Sequence, residues 1–468
     1  HRDLHSFPTR RSSDLQKGSC HRFHCSWRDS ADLPAGTASG CHKVAGMGRT
    51  IKNQNTRRPK PVEKIQLSEK HIHLRVFLVI LLLAVAAVSF TYALTSYLKE
   101  ETGWKVIKVS SAAKANVGDE FTFQYELGGG GTSATAEYKA LTILYSDAAV
   151  KAYEIFHADE SFDDIVNLHE INQHPGEILT VEEPLYQALE LLEQYGNRNL
   201  YLGPVYEEMY NLFQCKEDYE TASFDPEQNK VLKEEFAVLA AFAADPEAID
   251  LKLLGENQVC LEVSEEYQSW TQEHGYETYP DFYWMKNAFL VDYLAEVMLE
   301  NGYTRGVISS YDGFFRNLDE RDVSYSFHIF DRVGQDIYPA AVMEYNGPES
   351  LVYLRNYPIS TQDQAYYYEM KSGEIRTAYI DGADGLQRTS RNDLVAYSSE
   401  KGCAEVLLTM IPVYVSASFD ASALEQWKAD GIYSIYCEDR VIHYNEEKLT
   451  LKQLYQKDDL VYTAALVG

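Results

Sequence analysis

The chain has 468 residues, 45% of them apolar and 24% charged, which excludes wholesale disorder and a fibrous repeat. Its net charge of −29 argues against a nucleic-acid binder, which needs a basic face for phosphate. Seven cysteines are too few for a disulfide scaffold at this length.

Residues 1–46 read as translated non-native sequence. Ser6–Leu15 spells SFPTRRSSDL, which resembles a translated sequencing adapter, and the stretch to Gly46 lacks apolar periodicity. Cys20, His21, His24 and Cys25 fall there and lack the regular pair spacing of a zinc site. Met47 opens the gene product. Residues 47–75 form a basic segment with eight Lys or Arg against Glu63 and Glu69. Residues 76–98 follow as 23 residues without a charge, long enough for one membrane-spanning helix. The basic flank predicts a cytoplasmic N-terminus and an extracytoplasmic remainder in the cell membrane. His71 and His73 sit at that boundary and read as interface residues. From residue 99 on, 65 acidic residues face 27 basic ones, a net of −38. Such a surface repels anionic lipid and nucleic acid and attracts divalent cations. Its four cysteines allow one or two disulfides, with no pairing indicated.

In chain order, residues 99–137 read as a stalk and an entry strand at Glu120–Leu127, followed by a flexible Gly128–Gly131 loop. Residues 138–468 read as one α+β domain. Leu141–Tyr145 is expected as a strand and Ala148–Asn172 as a helix. Pro184 opens a helix closed by Gly196, and Asp225-Pro226 opens another through VLKEEFAVLAAFA. Asp281–Asn301 is expected as a long helix ended by Gly302, and Gly306–Tyr311 as a buried strand. The last third reads mostly as strands, with a helix near Ala421–Asp430. Of Tyr366-Tyr367-Tyr368, at most two share a strand face, so packing explains them better than ring stacking on a ligand. His328 reads as a core histidine, and Ser309-Ser310 lacks a nucleophile-elbow motif.

Several segments resemble, in order, the ApbE-like FAD:protein FMN transferases. They are FDDIVNLHEIN (Phe162–Asn172), LGPVYEEMYNLF (Leu202–Phe213), DFYWMKNAFLVD (Asp281–Asp292), SYDGFFR (Ser310–Arg316), AYIDGADG (Ala378–Gly385) and CAEVLLT (Cys403–Thr409). The resemblance covers roughly residues 138–415. It implies Mg²⁺-dependent transfer of FMN from FAD to a threonine of an extracytoplasmic protein. It implies FAD contacts at Asp281, Tyr283, Lys286, Ser310 and Gly313, a catalytic Asp381, and a Mg²⁺ site from Asp381, Glu405 and Thr409. Glu405 and Thr409 fall at i and i+4, on one helix face. The same residues also read as a turn aspartate before Gly382 and a capped helix start.

The departures are specific. Tyr283 and Trp284 stand where the family has paired glycines, and Asn287 where it has lysine. Gly203 replaces an aspartate, Ala378 a histidine and Asp384 a threonine. The flavin-binding segment is rebuilt, and a second expectation follows: the same fold without the chemistry, kept as a flavin- or nucleotide-binding or protein-interaction ectodomain.

Overall fold

A computed structural model describes residues 72–97, 99–110, 120–129, 131–362, 364–457 and 460–467. Residues 1–46, the 47–71 part of the basic segment, the Cys20–Cys25 cluster and His71 lie outside them. The described residues fall into two units, residues 72–97 and those from 99 onward.

In the first unit the uncharged run forms part of a helix, Ile72–Tyr97. Its apolar side chains from Val76 to Tyr92 are exposed. Among the described residues no helix is long and apolar enough to cross a membrane.

In the second unit a nine-stranded sheet follows chain order. Its strands are β1 (Gly103–Ile107), β2 (Phe121–Leu127), β3 (Gly306–Ser310), β4 (Phe314–Asn317), β5 (Glu349–Arg355), β6 (Asp393–Ser398), β7 (Tyr433–Glu438), β8 (Val441–Tyr444) and β9 (Thr463–Leu466). Neighbours run antiparallel except β8 and β9. The α+β class expected from the sequence is therefore observed. Insertions between consecutive strands build everything else, and residues 128–305, between β2 and β3, carry most of the helices.

The sheet is covered on both faces, and β5 shows how. Val352 and Leu354 join the core under the helices, while Leu351 and Tyr353 join a second core under the hairpin Ser324–Val333 and Asp336–Asn346. In β2, Phe121, Phe123, Tyr125 and Leu127 are buried and alternate with half-buried polar residues, the period of two that made this strand legible.

Three local expectations need correction. Leu141–Tyr145 is helical, because Ser133 caps a helix upstream that runs Ala134–Ile155. Leu141, Tyr145, Ala149 and Ala152 then fall on one buried stripe at helical spacing. That helix does not continue to Asn172. Asn167 caps a separate short helix, Leu168–Gln173, and its amide donates to the carbonyls of Glu154 and Glu160, tying down the break. The third correction is Asp225. Asn229 caps the helix Lys230–Ala244, while Asp225 is fully buried against Arg376 Nε at 2.9 Å. The Pro184 helix (Glu183–Gln194) and the helix Ala421–Ala429 stand where expected, and the helix before Gly302 begins at Lys286 rather than Asp281, behind a 3-10 turn at Tyr283–Met285. All four cysteines of residues 99–468 are free thiols.

Candidate functional site

Three neighbourhoods hold the residues singled out by the sequence. The first joins the end of one motif to the start of another. Asp292, on the helix Lys286–Glu300, accepts the backbone N–H of Cys403 and of Ala404, each at 2.8 Å. It thereby caps the helix Cys403–Tyr414 from outside, placing negative charge where the helix dipole favours it. Gly402 is required here, since a Cβ would stand 2.5 Å from Asp292 Oδ2. Arg316 lies 3.8 Å from the same carboxylate and donates to the Lys401 carbonyl at 3.0 Å and to Ser350. Burial pushes the Asp292 carboxyl up, against the pull of Arg316 and the two N–H groups.

The second neighbourhood is the rebuilt segment. Trp284 is buried, its ring edge-on to Tyr379 at 5.0 Å, and Tyr379 meets Tyr414 at 5.2 Å. Between Trp284, Asp312, Tyr366, Tyr367, Ala378 and Tyr379 a gap of only about 10 Å³ remains, room for one water. Asn287, in the family's lysine position, is buried and donates to Asp312 Oδ2 at 2.9 Å. Burial pushes Asp312 up to about 7. Ser310 Oγ accepts the Phe314 N–H at 3.1 Å. Gly313 has φ +114°, and a Cβ there would lie 2.3 Å from the Tyr353 carbonyl. Ser310 and Gly313, expected at the cofactor, thus shape the turn between β3 and β4. The three consecutive tyrosines part company. Tyr366 is in a 3-10 turn, Tyr367 donates to the Arg355 carbonyl at 2.8 Å, and Tyr368 donates to Asp218 at 3.1 Å.

The expected metal ligands form the third group. Asp381 accepts the Ala383 N–H at 3.0 Å and lies 3.1 Å from Arg388 Nε. The same guanidinium pairs with Asp384. Glu405 pairs with Lys401 at 3.4 Å, and Thr409 Oγ1 donates to the Glu405 carbonyl at 2.9 Å. A protein cation thus already faces each carboxylate, and the threonine hydroxyl is turned back on its own helix. Among the described residues no three His, Cys, Asp or Glu side chains stand together as a metal ion requires.

Asp281, Tyr283 and Lys286 do come together, in a cleft of about 570 Å³. Gly203 lines it too. A Cβ there would strike the Tyr279 carbonyl at 2.4 Å, so close backbone approach accounts for glycine in the aspartate position. Asp281 accepts the Tyr283 N–H at 2.8 Å, and burial pushes its carboxyl up to about 6. Tyr283 is held at φ +42°, uncommon for a bulky residue. Its ring stacks on Tyr206 at 5.0 Å and stands edge-on to Tyr366 at 6.0 Å. The rest of the lining includes Glu120, His157, Asp159, His169, Glu207, Tyr210 and Glu277. Burial, reinforced by Lys286, holds His157 below the usual imidazole range, against the pull of Asp159 and Glu160. Burial, then Glu208, Asp159 and Glu277, push Glu207 up. His169, Glu207 and Tyr210 fall inside segments that carry the resemblance, but nothing in the sequence assigned these lining residues a role at a site. They come from separate segments with no shared spacing.

A second cavity, about 290 Å³, lies under the hairpin. His328, expected in the core, is half-buried in its wall beside Phe330.

No protein-family model matches the chain, and no curated protein matches its sequence. Solved structures do match. The ApbE protein from Thermotoga maritima aligns at 10% identity and TM-score 0.50, over 75% of this chain and 96% of that one. The flavin transferase ApbE from Vibrio cholerae aligns at 11% identity and TM-score 0.47, over 75% and 97%. The flavinyl transferase ApbE from Pseudomonas stutzeri, in its apo form, aligns at 10% and 0.43, over 75% and 94%. The fold is therefore ApbE-like, in a divergent sequence.

Proposed function

We propose that this chain is a membrane-tethered, extracytoplasmic ligand-binding domain with the ApbE fold that does not transfer FMN. The observation that carries this reading is the filled space around Trp284 and Tyr379, which leaves about 10 Å³ between the rebuilt segment and Ala378. The residues present do not fit FAD with Mg²⁺. Asp381 and Glu405 already face Arg388 and Lys401, and Thr409 donates within its own helix. The open cleft is rimmed by carboxylates, which would face the like charge of a pyrophosphate.

The tether rests on the uncharged run of residues 76–98 behind a basic flank. It predicts that the chain stays with membranes through alkaline extraction, and that deleting residues 76–98 releases it.

A second reading is Mg²⁺-dependent transfer of FMN from FAD to a threonine of an extracytoplasmic flavoprotein. The motif residues Asp381, Asp292, Arg316 and Thr409, all still present, favour it. One experiment separates the two. The full chain is incubated with FAD, Mg²⁺ and a threonine-bearing flavoprotein acceptor, and the acceptor's intact mass is followed. An unchanged mass is expected. An FMN adduct that vanishes in Asp381→Ala establishes the second reading instead.

A further inference from the structure

We propose that the cleft beside Asp281 takes a small organic cation, an amine or quaternary ammonium group on a flat apolar body. This deepens the reading above, a binding domain without transfer, and rests on it.

The cavity itself is the first support. At about 570 Å³ it falls in the size range of small-molecule sites, roughly 300–1,000 Å³. Charge is the second. Asp159, Glu207 and Glu277 form an exposed negative rim around the more enclosed Asp281, and they come from different segments of the insertion. Among the described lining residues Lys286 is the lone lysine or arginine, and burial holds His157 below the usual imidazole range. Folding therefore concentrates like charge, and a ligand cation would relieve it. Burial first, and then the neighbouring carboxylates, Asp159 and Glu277 of this rim among them, push Glu207 up.

The third support is aromatic. Tyr206 and Tyr283 stack at 5.0 Å, and Tyr210 is 54% exposed on the same wall. Tyrosine faces attract cations, and ammonium ligands are recognised in this way. Among the described residues the buried Tyr283 hydroxyl has no hydrogen-bond partner, and its oxygen can accept an ammonium N–H. A bare metal ion fits less well. It needs several oxygen ligands at short range, and among the described residues no three acidic or imidazole groups gather that closely.

The test is calorimetric titration of the full-length chain at constant ionic strength. The probe is 2-phenylethylammonium chloride. The comparisons are 2-phenylethanol, its neutral counterpart, and FAD. The ammonium probe is expected to bind saturably and at least tenfold tighter than the alcohol. Asp159→Asn with Glu207→Gln should weaken the ammonium probe at least tenfold and leave the alcohol unchanged. Tyr210→Ala should weaken both probes. All three positions are exposed, so an unchanged melting temperature will show that the variants fold. Equal binding of alcohol and ammonium overturns the proposal. So does the absence of saturable ammonium binding, a charge-neutral variant that binds as before, or FAD displacing the probe. Detection of FMN transfer would end the non-transferring reading without touching the cation result. Failure of the probe would end the cation site while leaving the transfer question where the mass experiment puts it.

Discussion

The junction around Asp292 and the segment around Trp284 lie eight residues apart in one motif, yet they relate to the flavin-transferase pattern in opposite ways. At the junction, Asp292 and Arg316 match the flavin-transferase pattern, and their contacts are architectural. One carboxylate holds two N–H groups of the helix Cys403–Tyr414, and one guanidinium braces it. At Tyr283–Trp284 the pattern is lost, and aromatic packing occupies the space that paired glycines would leave open. A motif thus mixes residues that make the fold with residues that make the site. Asp292 and Arg316 serve the fold, so a motif match at these positions reports architecture first.

Breaking each half gives two large losses. Trp284→Ala removes a buried indole from a packed aromatic cluster and should cost about 4 kcal/mol in denaturant unfolding. If the segment were instead an emptied flavin pocket, the loss would be small. Asp292→Ala leaves two helix N–H groups unmet and Arg316 without its acid, and should cost about 3 kcal/mol. Asp292→Asn, which keeps an acceptor, should lose clearly less. Equal losses for the two substitutions would deny the capping role.

A third effect depends on pH. Burial raises Asp312 to about 7 in the folded chain, against about 4 when unfolded. Between those values the folded form holds a proton that the unfolded form has released, so this group's contribution to stability falls as pH rises from 4 to 7. Asp312→Asn keeps an acceptor for Asn287 and removes the ionisation. It should be more stable than the parent at pH 8, by up to about 4 kcal/mol, with the difference vanishing near pH 4. A difference independent of pH would place the effect in packing.

Where residues act through their neighbours in sequence, the fold was legible. Alternation exposed β2, and Pro184 with Gly196 bounded a helix. Helices interleaved with strands, and strands dominating the last third, were enough to name an α+β class that the structure bears out. Leu141–Tyr145 misled because five apolar-rich residues satisfy a strand as well as a helix, and the deciding cap, Ser133, lies outside them. The site was less legible because its contacts are long-range. Asp292 caps a helix 111 residues away in sequence. Arg388, which pairs with both Asp381 and Asp384, lies beyond the segment that carries the resemblance at this motif. The cleft's acids come from segments whose spacing means nothing until they are folded together.

The smallest expected effect is the sharpest test of whether the rebuilt half extends to the metal site. Thr409 is half-buried, and its hydroxyl donates only to the Glu405 carbonyl one turn back. A threonine in that role adds little to a helix, so Thr409→Val should change stability by no more than about 0.5 kcal/mol. A threonine that ligates Mg²⁺ behaves differently once the ion is present. At a concentration one hundred times its dissociation constant, a bound ion adds about 2.7 kcal/mol, which the variant would forfeit. Melting curves of parent and Thr409→Val, each with and without millimolar Mg²⁺, should therefore superimpose within pairs. A Mg²⁺-dependent rise in the parent that the variant lacks would mean that Glu405 leaves Lys401 for the ion, and that the metal half of the motif works as the family pattern implies.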